Sequence, residues 1–232
     1  MPRGPAYNGD EPNFLWRRVA LLAYLDAMPQ SFDDEALIAA LWRAIAAHGW
    51  PGLSMRRLAA EAGMDAATLR GRFPTRLDLL LLHGRVMDQA VMAGTIPGQG
   101  GSARDRIFDV LMRRLDAMQP HRAGILRLFE DMRRDPLLAL ALAPHIGVAM
   151  RWMLEAAEIE AKSCEARLLA LGLTGVWLAT IRAWARDDSP DMGSTMAALD
   201  AALDRAERIA RPLGLLRREA APPPAEEAAE TS

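Results

Sequence analysis

The sequence predicts an all-α protein. Alanine, leucine, arginine and glutamate dominate its 232 residues, whereas aromatic residues make up 6% and β-branched residues are sparse. This composition favours helix over strand. Apolar residues recur at helical spacing behind recognisable helix starts, and no run has the alternation of a half-buried strand. We therefore expect a bundle of helices without a sheet.

Composition and charge narrow the class of protein further. Hydrophobic residues at 51% and charged residues at 25% are typical of a soluble globular chain, and the net charge of −2 disfavours non-specific nucleic-acid binding by the whole surface. One basic patch remains compatible with that charge. The N-terminus lacks a secretory signal, and the longest apolar stretch, residues 168–181, is shorter than the roughly 20 residues of a membrane span. We expect a soluble, cytoplasmic protein without a membrane span.

Helix-start and helix-stop residues divide the first part of the chain. Ser54 and Asp65 are N-cap residues for two short helices, and Gly63 between them suits the left-handed end of a helix. Thr75 and Asp78 form a capping box that opens a longer helix. The helices predicted here span residues 13–28, 31–48, 55–62, 66–72 and 75–92.

A Gly/Pro-rich loop, residues 94–101, precedes the second part of the chain. Ser102 opens a helix with an acid three residues later, and Ser189-Pro190-Asp191 combines an N-cap, a proline at the first helical position and a favourable acid. The helix predicted over residues 163–186 is apolar on nearly every face, which indicates burial. The helices predicted here span residues 103–118, 121–133, 136–143, 145–161, 163–186 and 192–210.

A known family is recognisable in residues 37–80, which read LIAALWRAIAAHGWPGLSMRRLAAEAGMDAATLRGRFPTRLDLL. Without a gap, they resemble the N-terminal domain of TetR-family transcriptional regulators. The matching positions are Leu41, Ala44, Ile45, His48-Gly49-Trp50, residues 53–59, the turn at residues 62–64, Thr68-Leu69 and residues 73–80. The resemblance implies a TetR-like fold, in which a three-helix head with a helix-turn-helix precedes a helical ligand-binding and dimerisation body.

The helix starts, the Gly/Pro-rich loop and the resemblance together predict the following domain boundaries. Residues 1–34 form an N-terminal extension with one short helix, and residues 35–93 form the helix-turn-helix head. Residues 102–212 form the helical regulatory and dimerisation domain, and residues 213–232, rich in Pro, Ala and Glu, form a disordered tail.

The helix-turn-helix is the candidate DNA-binding site, because two short helices joined by a tight turn place the second in the major groove. By the resemblance, Ser54 and Arg56 contact phosphates, and Arg76 occupies the place of a phosphate-binding lysine. The residues that face base edges are Asp65, Ala66, Ala67 and Thr68. Arg70 and Arg72 stand where the family usually has aromatic residues, and with Arg57 they complete a locally basic patch. Arginine there can bind phosphate or guanine, and the alternative is a solvated surface without a partner.

The body carries two further sets of candidate residues. TetR-family bodies bind small molecules and dimerise through their last two helices, so we expect a homodimer on a double-stranded DNA operator. The predicted dimer interface contains Leu171, Gly175, Ala179, Ala183, Leu199 and Leu203. Flexible and aromatic side chains predict a pocket for an apolar small molecule or lipid, with core packing as the alternative; they are Met112, Met132, Trp152, Met153 and Trp177.

A second family on the same fold resembles the C-terminal third. The lipid-binding accessory proteins of ubiquinone biosynthesis share the pattern Trp184-x-x-Asp187-Asp188-Ser189-Pro190-Asp191-x-x-x-Thr195-x-x-x-Leu199-Asp200. The paired Gly-Asp and Trp-Tyr residues that precede it in that family have no counterpart here. A lipid-binding accessory protein is therefore the alternative function.

Residues suited to catalysis or metal binding form no recognisable constellation. The four histidines lack metal-ligand spacing, and Cys164 is the only cysteine. Gly98–Gly101 is not a phosphate-binding loop, because no Lys-Ser/Thr pair follows it. We expect no enzyme, no cofactor and no metal. The sequence predicts a TetR-type DNA-binding regulator, specifically a homodimeric repressor that responds to an apolar small molecule.

Overall fold

In a computed structural model, the residues described are 34–96, 98, 101–159 and 163–212. Within these ranges the chain is helical and contains no strand, as predicted. The helices are α1 (Asp34–Gly52), α2 (Met55–Glu61), α3 (Ala66–Arg72), α4 (Arg76–Gly94), α5 (Ala103–Met118), α6 (Arg122–Arg134), α7 (Pro136–Ala156), α8 (Ser163–Trp184) and α9 (Gly193–Ala210), with a 3₁₀ turn at Gln119–His121 between α5 and α6. The predicted helix at residues 13–28 and the predicted tail lie outside the described residues.

The predicted caps explain why most helices begin where they do. The side chains of Ser54 and Asp65 accept backbone N–H groups at the starts of α2 and α3. Complete capping boxes open α4 at Thr75 and α5 at Ser102, each closed by an aspartate three residues later. Local hydrogen bonds of this kind satisfy N–H groups that lack a partner in the first turn, and the sequence therefore predicts these boundaries well.

Helix α7 differs from the prediction, which split it into two helices around residue 144. The helix runs without interruption from Pro136 to Ala156, with Pro144 inside it. Proline removes the hydrogen bond to the carbonyl of residue 140. Pro144 and Leu140 both lie on the exposed side of α7, where water can satisfy that carbonyl. The predicted break at residue 144 was wrong for this reason.

The start of α9 also differs from the prediction. Ser189 does not cap this helix, which begins at Gly193 after Met192 in a left-handed conformation with φ of 52°. One carboxylate oxygen of Asp187 accepts the N–H and hydroxyl of Thr195, both at 2.7 Å, and the other accepts the N–H and hydroxyl of Ser189. These hydrogen bonds, led by the Ser189 hydroxyl, hold the pKa of Asp187 well below its usual range.

The chain divides by its internal contacts into residues Met1–Leu37 and Ile38–Ser232. The second unit includes residues of both the predicted head and the predicted body. Within it, α8 packs along α7 and α9, and α5 packs against α4, α7 and α9. Its interior includes Met150, Met153, Trp177 and Trp184.

Two helices are long and apolar enough to cross a bilayer by length and composition alone. They are Pro136–Ala156, with a mean hydropathy of 1.6, and Cys164–Trp184, with a mean hydropathy of 1.4. Only 28% and 33% of these segments are buried. The longest unbroken apolar run is shorter than either helix, because isolated Pro, Gly and Thr residues interrupt the run but leave the helix apolar overall. Core helices of globular domains meet the same criterion, and both helices contribute side chains to the interior.

Candidate nucleic-acid interface

Helices α2 and α3 form the helix-turn-helix that the sequence predicts. Gly63, with φ of 64°, turns the chain after α2, and the Met64 N–H donates to the Ala59 carbonyl at 2.8 Å. A left-handed residue is needed here to end the helix, and glycine adopts it without steric cost. Leu58 of α2 and Leu69 of α3 are both fully buried. Because Leu69 points inward, the opposite side of α3 faces solvent.

The two predicted contacts at the helix starts already have intramolecular roles. The Ser54 hydroxyl accepts the Arg57 N–H at 3.2 Å, and Asp65 accepts the N–H of Thr68 at 2.9 Å and its hydroxyl at 3.2 Å. The hydrogen bond from the Thr68 N–H holds the pKa of the Asp65 carboxyl below its usual range. Both residues are exposed beside α2 and α3, but capping uses part of their hydrogen-bonding capacity.

The predicted basic patch separates into exposed and internally bonded arginines. Arg56 on α2 and Arg70 on α3 are exposed, and neither forms a hydrogen bond or ion pair with any described residue. Arg57 is exposed and donates to the Gly52 carbonyl. Arg72 is half-buried, with its guanidinium 5.0 Å from the centre of the Phe73 ring. Arg56 and Arg70 are therefore the arginines of this patch that have all their donors available.

Arg76 has a role that the sequence did not predict. Its Nη1 donates to the carbonyls of Trp50 and Leu53, both at 2.7 Å, and its guanidinium lies 4.8 Å from the centre of the Trp50 ring. These contacts hold the start of α4 against the end of α1. Arg76 was expected at a phosphate, whereas its closest contacts stabilise the fold of the head.

Sequence reasoning also missed Arg43. This α1 side chain forms an ion pair with Glu61 of α2, with 3.0 Å between Nε and Oε1. Arg43 thereby neutralises Glu61, one of the two acids between Ser54 and Arg76. The surface around α2 and α3 is therefore more basic than residues 54–76 alone would make it. Eighteen residues separate the partners along the chain, so no local pattern could have paired them.

Helix α6 joins the head to the body at two points. The Trp50 N–H, at the end of α1, donates to the buried carboxylate of Asp131 at 2.6 Å. At the other end of α6, Gly124 packs so closely on α1 that a Cβ at this position would overlap the carbonyl of Trp42. Neither contact follows from a motif, because each depends on the packing of helices distant in sequence.

A cluster of three rings lies near the Gly124 contact, with Trp42 and His83 buried and His121 half-buried. His83 of α4 packs against Trp42 with ring centres 5.0 Å apart and against His121 with ring centres 5.4 Å apart. Burial, together with the nearby charges of His121 and Arg114, lowers the pKa of His83 to about 3. Its Nε2 has no hydrogen-bond partner among the described residues. His83 is therefore neutral at physiological pH.

The structure brings together only two of the five predicted pocket residues. Met153 and Trp177 both contact Arg114, whose guanidinium lies 3.9 Å from the Met153 sulfur and 5.5 Å from the centre of the Trp177 ring. Arg114 also forms a buried ion pair with Asp88 of α4. Met112 and Met132 are half-buried, and Trp152 is 45% exposed.

Two surface clefts formed by described residues lie away from Arg114, Met153 and Trp177. One, of about 440 Å³, lies between α5 and the loop before α9 and is lined by Asp116, Arg122 and Asp187 among others. The second, of about 250 Å³, lies beside Arg106 and Arg113 of α5. None of the five predicted pocket residues lines either cleft. In the described ranges, no three His, Cys, Asp or Glu side chains are arranged to hold a metal ion.

The predicted dimer interface requires one correction. Leu199 and Leu203 of α9 are buried inside their own chain, at 0% and 6% exposure, and offer no surface to a partner. Their helical face packs inward because α9 lies along α8 and α5. Leu171 and Gly175 of α8 are exposed, and Ala179 and Ala183 are half-buried. The exposed part of α8 also includes Leu168 and Leu178.

A three-helix head with a helix-turn-helix, continuous with an all-helical body, defines a helix-turn-helix protein. Residues 37–82 match the family model described as bacterial regulatory proteins, tetR family. The head is a TetR-family N-terminal domain, as the sequence resemblance predicted, and the chain has the fold of TetR-family transcriptional regulators.

Solved structures from three bacteria support the fold assignment. A TetR transcriptional regulator from Nitrosomonas europaea has a TM-score of 0.61 and 19% identity, covering 75% of this chain and 98% of that one. A TetR transcriptional regulator from Rhodococcus sp. RHA1 has a TM-score of 0.52 and 21% identity, covering 74% and 93%. A tetR-family transcriptional regulator from Streptomyces coelicolor has a TM-score of 0.51 and 16% identity, covering 78% and 84%. No curated protein matches the chain.

Proposed function

We propose that this protein is a cytoplasmic, DNA-binding transcriptional regulator that acts as a homodimeric repressor and is released by an apolar small molecule. The observation that carries the proposal is the TetR-type helix-turn-helix with Arg56 and Arg70 exposed on its two helices. Exposed guanidinium groups bind phosphates and base edges, and α3 has the place of a recognition helix.

The exposed surface of α8 supports the dimer. Leu168, Leu171, Gly175 and Leu178 recur at alternating steps of three and four residues, which is the spacing of a helix-packing seam. A second copy of α8 would cover these leucines. Two-fold symmetry would then bring two copies of α3 to successive turns of the major groove, about 34 Å apart.

Two features of the body support control by a ligand. Met153 and Trp177 contact Arg114 in the interior, so the body combines buried apolar side chains with a buried charge. Helix α6 contacts α1 through Asp131 and Gly124. Because of these two contacts, a movement of α6 in the body would displace α1 in the head. An apolar effector that changes the packing around α6 would change the position of α3.

Binding to the DNA upstream of the protein's own gene tests the proposal. We expect binding in low salt, with an affinity that falls steeply as salt increases because phosphate contacts release counterions. Arg56→Ala should weaken binding and reduce the slope of log affinity against log salt by about 1. Glu130→Ala, an exposed change on α6, is the matched control and should bind as the wild type does. Failure to bind any upstream DNA in low salt would refute the proposal.

A second candidate is the lipid-binding accessory function in ubiquinone biosynthesis. The observation that favours it is the apolar exposed side of α7, where Leu137, Leu140, Val148 and Trp152 are uncovered. The shared residues Asp187, Ser189 and Thr195 bond to one another and order the start of α9, which is a structural role. This candidate predicts isoprenoid lipid in the purified protein and a quinone deficit in a deletion strain. Normal quinone levels would exclude it.

A further inference from the structure

The exposed surface of α3 combines small residues with one long donor. Successive residues of an α-helix are about 100° apart around its axis, so Ala67 and Gly71 lie opposite the buried Leu69, with Thr68 and Arg70 on either side. All four of these residues are exposed. The small side chains on this surface would allow the helix to lie close to the floor of a groove. Arg70 is the one side chain long enough to extend further into that groove.

The long donor is Arg70, because the other basic residues on α3 and at the start of α4 are engaged. Arg72 lies over the Phe73 ring, and Arg76 donates to two carbonyls at the end of α1. The Thr68 hydroxyl donates to Asp65, which leaves it as an acceptor only. Arg70 makes no hydrogen bond or ion pair with any described residue, and its guanidinium keeps all five N–H donors for a ligand.

Gly71 is not required by the fold. A Cβ at this position would meet no atom within 4 Å, and the backbone is helical rather than left-handed. Glycine lowers helix stability relative to alanine by roughly 0.5–1 kcal/mol. Gly71 leaves the centre of the exposed surface without a side chain, so a partner could approach the backbone of α3 closely there.

We propose that Arg70 reads a guanine in the major groove of the operator, with bidentate donation to O6 and N7, while Gly71 allows α3 to lie close to the base edges. Guanine is the base whose major-groove edge carries two acceptors, and arginine is its most common specific partner. Phosphate is the other acceptor that arginine could contact, and it carries no sequence information. This inference rests on the DNA-binding function proposed above.

Selection from a pool of random-sequence DNA duplexes tests the inference with the full-length protein. The wild type should enrich sites with a guanine at a fixed position in each half-site. Arg70→Ala should lose that preference, with a 10- to 100-fold fall in discrimination against other bases at that position, roughly the value of one bidentate contact. Arg70→Gln should shift the preference from guanine towards adenine, whose N6 and N7 it can bind. Methylation of guanine N7 should block binding of the wild type and have less effect on Arg70→Ala.

Two comparisons make the result decisive. Arg56→Ala should weaken binding to all sequences alike and retain the guanine preference. Gly71→Leu should leave the stability of the fold unchanged or higher, because its side chain would point into open space, yet it should weaken binding at least 10-fold. If Arg70→Ala weakens binding uniformly and the selected sequence is unchanged, Arg70 contacts phosphate and the inference is overturned while the DNA-binding function stands. If the wild type enriches no sequence and binds no duplex, the proposed function itself fails.

Discussion

The backbone N–H of Trp50 donates a hydrogen bond to the carboxylate of Asp131 at 2.6 Å, across the boundary between the head and the body. Trp50 follows Gly49, whose left-handed φ of 69° turns the end of α1 so that this N–H leaves the helical hydrogen-bonding pattern. The carbonyl of the same residue accepts from Arg76 of α4. One residue therefore links α1, α4 and α6 immediately before the helix-turn-helix.

Removal of the Asp131 carboxylate should destabilise the protein. Asp131→Ala leaves the buried Trp50 N–H without an acceptor, which costs about 1–3 kcal/mol of unfolding free energy. Asp131→Asn keeps an acceptor oxygen and should cost less. Urea denaturation measures both effects, and hydrogen exchange should be faster at the Trp50 amide in the alanine variant. Glu130→Ala, one residue away and exposed, should change neither; equal losses for the two alanine variants would contradict the assigned role.

Substitutions of Arg76 and Arg56 should distinguish a loss of fold stability from a direct loss of DNA affinity. Arg76→Ala removes two hydrogen bonds and a cation–π contact, so it should lower the unfolding free energy by about 2 kcal/mol and weaken DNA binding as a consequence. Arg56→Ala removes an exposed side chain and should change stability by less than about 0.5 kcal/mol. Denaturation and DNA titration on the same samples measure both quantities. An Arg76→Ala protein that is as stable as the wild type would contradict the structural role, and weaker DNA binding by that stable protein would assign Arg76 to a phosphate.

His83 should make the protein less stable in mild acid. Below its ordinary pKa of about 6.5 the unfolded chain takes up a proton at this residue, whereas folded His83 remains neutral down to pH of about 3. Unfolding therefore becomes more favourable as the pH falls through this window. Between pH 7 and pH 5 the loss should be about 2 kcal/mol, since one pKa unit corresponds to ~1.4 kcal/mol.

His83→Phe is the variant that isolates this effect. Phenylalanine retains a ring beside Trp42 and His121 but cannot be protonated, and comparison with the wild type cancels the titration of the carboxylates. Urea denaturation at several pH values should give a shallower loss of stability for His83→Phe. Parallel curves for the two proteins would mean that His83 titrates equally in the folded and unfolded states.

Leu171 should be essential for the proposed dimer. This α8 side chain is 69% exposed at the centre of the apolar seam, and Leu171→Glu would place a charge in the interface. Sedimentation should give a dimer for the wild type and a monomer for Leu171→Glu. Leu140→Glu on α7, where the native residue is equally exposed at 69%, should remain dimeric. A monomer from the α7 variant and a dimer from the α8 variant would move the interface to α7.

The sequence determined the features that depend on neighbouring residues. Helical content, the capped starts of α2 to α5 and the turn at Gly63 arise from hydrogen bonds and conformational preferences over three or four residues, which the local sequence contains in full. The same locality explains why residues 37–82 are recognisable as a TetR-type head. The start of α9 was predicted to within one residue, but the capping role of Ser189 was wrong because the Asp187 carboxylate bonds to both Ser189 and Thr195, eight residues away.

The contacts of individual side chains depend on how distant helices pack, which the sequence does not show. Arg70 and Arg76 are arginines of the same predicted patch, yet one is exposed and the other is bonded to carbonyls 23 and 26 residues earlier in the chain. Leu171 and Leu199 belong to the same predicted interface, yet one is exposed and the other is buried. Periodicity gives the face of a helix but not the helix that covers it, because that depends on how distant segments pack. The sequence alone therefore determined the type of head, whereas helix packing determined which of its arginines are exposed with their donors available to a ligand.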